Sequence, residues 1–199
     1  MAKRHRLDVL MVERGLATTR ERARSLILAG RTLVDGCVVT KAGSQVLTSS
    51  ELDLSEPDHP YVGRGGIKLA HALKIFEVEA SERIAIDIGA SIGGFTDALL
   101  QHGAVHVIAV DVGYGQLDWQ LRNDPKVTVI ERFNARHLTT DALPSEFQKV
   151  DIVTVDVSFI SVKKILPVIP SLLNSDADVI VLVKPQFEAG RAEVGKKGI

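Results

Sequence analysis

The chain has one cysteine, Cys37, one tryptophan, Trp119, and two tyrosines among its 199 residues. A lone thiol forms neither an internal disulfide nor a cysteine-based zinc site, so a reducing, cytoplasmic setting is expected. The six histidines are scattered without metal-ligand spacing, and no metal is expected. No apolar run approaches the roughly 18 residues a membrane-spanning helix needs, so no stable span is expected. The start, MAKRHRLDVL, lacks the apolar core of a secretory signal. Two nucleotide-binding fingerprints are missing as well. Without G-x-x-x-x-G-K-[ST] the sequence argues against phosphate-cradling hydrolysis, and without G-x-G-x-x-G against a dinucleotide site.

Hydrophobic residues make up 45% of the chain, which excludes wholesale disorder and a collagen-like repeat. The net charge of −1 conceals a division. Residues 1–41 carry nine Lys/Arg against four Asp/Glu, and residues 42–199 carry fifteen against twenty-one. A basic N-terminal piece on an acidic body suggests a module that meets phosphate.

Residues 7–14 read as a short helix closed by Gly15. Thr18 or Thr19 can cap a second helix running to about Ala29, because a hydroxyl there accepts an otherwise orphan backbone N–H. Its apolar side is Ala23, Leu26 and Ile27, flanked by Arg20 and Arg24 on one edge and Arg22 on the other. A hairpin follows through Asp35-Gly36, a pair that accommodates positive φ, and Leu52 and Leu54 suggest another short strand. The polar, Pro- and Gly-rich stretch 55–66 is the best boundary, giving an N-terminal domain of residues 1–59 and a second of residues 60–199. Beyond it, apolar strands at 84–88, 105–110, 127–130, 152–155 and 179–183 alternate with helices. The helices are expected at 68–76, 94–101, 116–122 and 162–173. Strands apolar on successive positions indicate a mainly parallel, doubly wound α/β sheet covered on both faces.

The sharpest motif is IAIDIGASIGGFTDALL, residues 84–100. An apolar strand ends in Asp87 and passes through Gly89, Ala90, Ser91, Ile92, Gly93 and Gly94 into a helix. Such a glycine loop lets backbone approach a ligand closely. Its G-x-x-x-G-G spacing resembles the S-adenosylmethionine site of methyltransferases. The next strand ends in Asp111, an acid placed to accept hydrogen bonds from ribose hydroxyls. Asn134 follows the third strand and offers an amide to an adenine edge, and Asp156 ends the fourth. Lys184 closes the fifth strand on the same rim, with Asp156 as its expected partner, and Lys68 follows Gly65-Gly66. Two lysines and an aspartate around a methyl donor suit a hydroxyl acceptor, one lysine in its neutral form accepting the proton and the second, as a cation, stabilising the developing alkoxide. Trp119 and Tyr114 are expected to pack near the cofactor loop rather than to stack on RNA.

These segments together resemble the TlyA family of ribosomal-RNA 2′-O-methyltransferases, some of them labelled haemolysins. RLDVLMVERGLATTRERARSLILAGRTLVDG looks like the small α+β RNA-binding module first described in a small-subunit ribosomal protein, the S4 domain. RGGIKL, DIGASIGGFTD, DVGYGQLDWQLR, DVSFIS and LVKPQFEAGR look like an FtsJ-like methyltransferase domain of Rossmann-like fold. The resemblance implies S-adenosylmethionine as cofactor, ribosomal RNA or ribosomal subunits as partner, and cytidine as target. It implies methionine-end contacts around Gly89–Gly94, with Lys68, Asp156 and Lys184 as three members of a Lys-Asp-Lys-Glu set. In the N-terminal module Arg4, Arg6, Arg20, Arg22, Arg24 and Arg31 would contact phosphates. Ile92 departs from the Thr more usual in the family. Five strands are counted where such domains carry seven, so the sheet is expected to be C-terminally incomplete and the Glu to lie beyond residue 199. Two further readings stand beside the enzyme: an rRNA-binding protein without catalysis, and a membrane-active haemolysin. The last has little support, since the helix near residues 19–29 is short and weakly apolar.

Overall fold

The computed structural model describes residues 4–55 and 59–189. It divides into two compact units, Met1–Pro60 and Tyr61–Ile199. The first unit runs β1 (Arg4–Arg6), α1 (Leu7–Glu13), α2 (Arg20–Leu28), β2 (Thr32–Val34), β3 (Cys37–Val38), β4 (Gln45–Leu47) and β5 (Leu52–Leu54). Helix α2 starts where the sequence places it, with Thr19 Oγ1 accepting the Arg22 N–H at 3.1 Å. The β2–β3 hairpin turns at Asp35 and Gly36, both at positive φ. Strand β1 has no counterpart among the expectations. Three residues carry no readable alternation, and its partner β4 lies some forty residues away. Leu7, Leu10, Met11, Ala23, Leu26 and Ile27 form this unit's core.

The second unit continues with α3 (Gly65–Ile75), β6 (Ile84–Ile88), α4 (Gly94–Gln101), β7 (His106–Val110), α5 (Trp119–Arg122) and β8 (Val127–Ile130). It ends with β9 (Val150–Val155), β10 (Leu173–Val181) and α6 (Pro185–Glu188). The sheet is parallel throughout, in the order β10-β9-β6-β7-β8. Alternate side chains of β6 serve opposite layers: Ile86 and Ile88 join Leu138, Ile165 and Leu172, while Ala85 joins Leu69, Leu73 and Leu99. Burial on both faces is why the strands read as continuous β-branched runs.

Two expected helices are corrected. Residues 162–173 form successive 3-10 turns, Val162–Lys164 and Leu166–Leu172, instead of one α-helix. Pro167 and Pro170 remove N–H donors, and their rings oppose the carbonyl four residues back. The helix expected from 116 begins only at Trp119, capped by Asp118, whose carboxylate accepts the Gln120 N–H at 2.8 Å. The residues before it, from Asp111, form a loop.

Candidate functional site

Strand order places the site. The chain leaves β6 towards β7 on one side and crosses to β9 on the other, so the carboxyl ends of β6 and β9 flank the point where the winding reverses. The strand ends are level: Gly89 N–H bonds to the Val110 carbonyl, Asp111 N–H to Ile130, Asp156 N–H to Ile88, and Leu182 N–H to Val155, at 2.8–3.0 Å. The residues that follow the strands therefore emerge on one rim, and two clefts open there. The first, about 450 Å³, is lined by Gly89, Ser91, Asp111, Gln116, Asn134 and Asp156 together with the apolar Val112, Phe133, Ile160 and Ile165. The second, about 600 Å³, is lined by Arg64, Gly65, Lys68, Ala90, Gly94, Phe95 and Lys184. Gly89, Ser91, Asp156 and Ser158 border both.

The second cleft collects the three residues expected to act on a hydroxyl. Lys184 is ion-paired with Asp156, and its Nζ donates to Ser158 Oγ at 2.8 Å. Both charged side chains are only about one-fifth exposed, 20% for Lys184 and 19% for Asp156, so water screens the pair weakly. Lys68, exposed on the first turn of α3, lines the same cleft. Its helix is seated against the loop by glycines. A Cβ on Gly94 would lie 3.0 Å from the Gly66 nitrogen, and one on Gly66 would lie 2.3 Å from the Tyr61 ring. Asp97 of α4 fixes the approach by accepting the Val62 N–H at 2.7 Å.

Asp111 grips the loop of the first cleft. One carboxylate oxygen accepts the Ser91 N–H at 2.8 Å and the other the Gly113 N–H at 2.6 Å, leaving further lone pairs for a ligand. Asn134 Oδ1 accepts the Arg136 N–H at 3.1 Å, which leaves its NH₂ as a donor towards the cleft. Gly89 stands at φ +88°, and a Cβ there would lie 2.7 Å from the Asp156 carbonyl oxygen. Only glycine lets the β6 loop pass this close to the end of β9.

Two loop residues stand elsewhere. Gly93 faces inward: a Cβ on it would meet Leu121 Cδ1 at 2.3 Å, and it lines neither cleft. Asp87 is wholly buried and also lines neither. Its carboxylate accepts the Thr96 hydroxyl at 2.7 Å and the Thr154 hydroxyl at 3.1 Å, tying the start of α4 and strand β9 to β6. Burial pushes Asp87 up to about 6, against the lowering effect of the two threonine hydroxyls. The folded form thus keeps a proton that the unfolded chain has released, and stability falls as pH rises from about 4 to about 6. An Asp87→Asn variant is expected to lack that slope, the difference reaching about 3 kcal/mol at neutral pH. Urea unfolding of both proteins at pH 4.5 and 7 measures it, and parallel slopes would refute it.

Several lining residues carry no sequence signal. Ser158 and Gln116 are polar residues in loops, visible only once the strand ends are aligned. Phe159 is 91% exposed at φ +64°, an outlying conformation for a bulky residue, and its ring meets Phe187 with centroids 5.3 Å apart. Trp119 and Tyr114 are corrected as well. They are 74% and 67% exposed rather than packed, and Tyr114 is capped by the Arg132 guanidinium at 4.1 Å.

In the first unit the candidate phosphate-binding arginines divide. Arg6 donates through Nε and Nη2 to Asp8 at 3.0 and 2.9 Å, and Arg20 Nη2 donates to the same carboxylate at 3.0 Å. Asp8 is fully buried while both arginines remain about half exposed. The Arg6 hydrogen bonds, reinforced by Arg20, hold its carboxyl down at about 2 against the effect of burial. Its stabilising effect is therefore complete above about pH 4 and lost as pH falls towards 2. Arg4 Nη1 donates to the Gln45 carbonyl at 3.2 Å, and Arg22 Nη2 lies 3.4 Å from the His59 carbonyl. Arg24 is exposed, and Arg31 is half-buried.

Among the described residues no cluster of His, Cys, Asp and Glu is arranged to hold a metal, and no helix is long and apolar enough to cross a membrane.

Comparison with known proteins agrees with this division of the chain. The family model described as FtsJ-like methyltransferase matches residues 61–199, and the S4 domain model matches residues 5–52. The chain is 51% identical over 202 residues to YqxC of Bacillus subtilis, named as a candidate rRNA methyltransferase, spanning all of this chain and 70% of that protein. It is 46% identical over 200 residues to the 16S/23S rRNA (cytidine-2′-O)-methyltransferase TlyA of Mycobacterium tuberculosis, spanning all of this chain and 74% of that one. A solved structure, described as a candidate hemolysin from Streptococcus thermophilus, superposes with a TM-score of 0.72 at 42% identity, covering all of this chain and 72% of that one.

Proposed function

The chain belongs to the FtsJ-like methyltransferase family and carries an S4 domain ahead of the methyltransferase domain, and from that premise we propose that it methylates the ribose 2′-oxygen of cytidine in ribosomal RNA, using S-adenosylmethionine. The observation that carries this reading is the Lys184–Asp156 pair in a cleft that shares a wall with the glycine-loop cleft and also holds Lys68.

The first cleft fits the cofactor by donor type and by space. Asp111 offers acceptors for two ribose hydroxyls, Asn134 a donor for the adenine edge, and Phe133, Ile160 and Ile165 apolar walls for the base. Gly89 and Ser91 bring backbone to the border of the second cleft, where the methionine end belongs. Bound there, the cofactor supplies an electrophilic methyl group on a sulfonium.

The chain's own residues then act on the acceptor. Asp156 orients Lys184, which from its ion-paired form first passes a proton to water and then takes up the 2′-hydroxyl proton as the methyl group leaves sulfur for that oxygen. Lys68 stabilises the negative charge that develops on that oxygen. Phe159 offers the target base an apolar face at the rim. In the S4 domain, Asp8 presents Arg6 and Arg20 side by side, an arrangement suited to RNA phosphates, while Arg4, Arg22, Arg24 and Arg31 extend the basic surface. An rRNA substrate implies work in the cytoplasm.

Mapping 2′-O-methylated rRNA positions in cells with and without the protein tests the reading. One or more cytidines are expected to lose the mark when the protein is absent and to regain it on re-expression. An unchanged map would overturn the assignment.

A further inference from the structure

Lys184 is the last residue before a one-turn helix, α6, and that helix returns to the segment after β9. Three contacts join the two stretches in register. Lys184 meets Asp156 and Ser158. Phe187 meets Phe159. Glu188 closes the set: its Oε2 accepts the Ser161 hydroxyl at 2.6 Å and its Oε1 the Val162 N–H at 2.8 Å. The partners thus advance together, residues 156–162 against 184–188.

We propose that Glu188 is a positioning residue for Lys184, the clasp that holds the two strand-end segments together so that the lysine stays on Asp156 and Phe159 keeps its left-handed conformation. The inference rests on the methyl-transfer reading and assigns Glu188 no contact with the substrate.

The physical case has three parts. First, a one-turn helix has too few internal hydrogen bonds to hold itself, so its place must come from tertiary contacts. Within α6, Glu188 makes the only two side-chain hydrogen bonds recorded among the described residues, while Phe187 adds a ring contact. Second, both carboxylate oxygens are engaged, which fixes orientation as well as distance. The Ser161 and Val162 hydrogen bonds also hold the Glu188 carboxyl below its usual range, so the clasp stays closed at neutral pH. Third, Phe159 at positive φ is a conformation that persists only when its surroundings over-determine it. Its neighbours on one side, Asp156 and Ser158, are held by Lys184, and those on the other, Ser161 and Val162, by Glu188.

Steady-state transfer of labelled methyl to rRNA by the protein, with thermal unfolding alongside, tests this. Glu188→Ala is expected to lower kcat about 10- to 100-fold with KM for S-adenosylmethionine raised by no more than about 3-fold, because misplacement by about an ångström costs that much in rate. Only the wall of the first cleft formed by residues 156–160 adjoins the clasp, and Asp111 and Asn134 are held apart from it. Glu188→Gln keeps one acceptor for Val162 N–H and offers its NH₂ to Ser161 Oγ, so its kcat is expected within about 3-fold of wild type. Ser161→Ala removes one of the two bonds and serves if Glu188→Ala does not fold, with an expected loss of about 3- to 10-fold in kcat. Unchanged kcat in Glu188→Ala, or in Ser161→Ala where it stands in, would overturn the proposal. So would a Glu188→Gln loss as large as that of alanine, or a rise in KM matching the fall in kcat. Lys184→Ala separates the two readings. If it keeps full activity, Lys184 takes no part in the transfer and the clasp has nothing to position. If the wild-type protein transfers no methyl to rRNA, the methyl-transfer assignment fails, and if Lys184→Ala is inactive while Glu188→Ala is normal, only the clasp fails.

Discussion

Replacing Lys184 with alanine is expected to lower methyl transfer to rRNA by about 1,000-fold, the range that removal of a positioned proton acceptor commands. Cofactor affinity should remain within about 2-fold, since Lys184 borders the second cleft and not the first. Single-turnover transfer of a tritiated methyl group gives the rate, and calorimetric titration with S-adenosylhomocysteine gives the affinity. Lys184→Arg tells what the residue supplies. Arginine keeps a cation beside Asp156 but does not release its proton in a protein. If Lys184 accepts a proton, Lys184→Arg is as inactive as Lys184→Ala. If it only stabilises charge, Lys184→Arg retains substantial rate. Unchanged transfer in Lys184→Ala would remove the residue from the reaction altogether.

Gly89→Ala is expected to abolish cofactor binding, with affinity lower by at least about 100-fold, and to destabilise the methyltransferase domain by about 3 kcal/mol or more. Two costs combine. The backbone at φ +88° disfavours any side chain, by about 1–2 kcal/mol. The new Cβ would also lie 2.7 Å from the Asp156 carbonyl oxygen and 3.0 Å from its carbon, and these are backbone atoms at a paired strand end that cannot swing aside. Relief requires the ends of β6 and β9 to part, which displaces Asp156 and so opens the border shared by both clefts. Gly115→Ala is the control. It has φ +68° with nothing within 4 Å of a Cβ, so it bears the conformational cost alone. Thermal unfolding and the same calorimetric titration separate the two variants. Equal losses in both would show that crowding at Asp156 is unimportant.

The parallel α/β sheet was legible because its strands are buried on both faces, and burial leaves unbroken runs of Ile and Val. The polar residues just beyond those runs were legible for the same reason, since each ends a conspicuous apolar stretch. Within the glycine loop, legibility stopped. Asp87 and Ser91 are both polar residues in one motif, yet Asp87 points inward to two threonines while Ser91 borders both clefts. The 3-10 run over residues 162–172 was available in principle from Pro167 and Pro170, and apolar spacing obscured it. Arg6 and Arg20 looked alike among six basic residues; nothing local marks the buried Asp8 that binds them together.

By itself, the sequence determined the two-part chain, the kind of sheet, and which chemically capable side chains end its strands. Those follow from local patterns: apolar runs, turn residues and charge. Tertiary structure alone decided which of those ends are neighbours. Asp156 lies 67 residues from Gly89 and 28 from Lys184 in sequence, and it meets both because β9 pairs with β6 on one edge and β10 on the other. Strand order in a parallel sheet is set by crossover packing and long-range pairing, which no local period records. That order places the paired lysine beside the glycine loop.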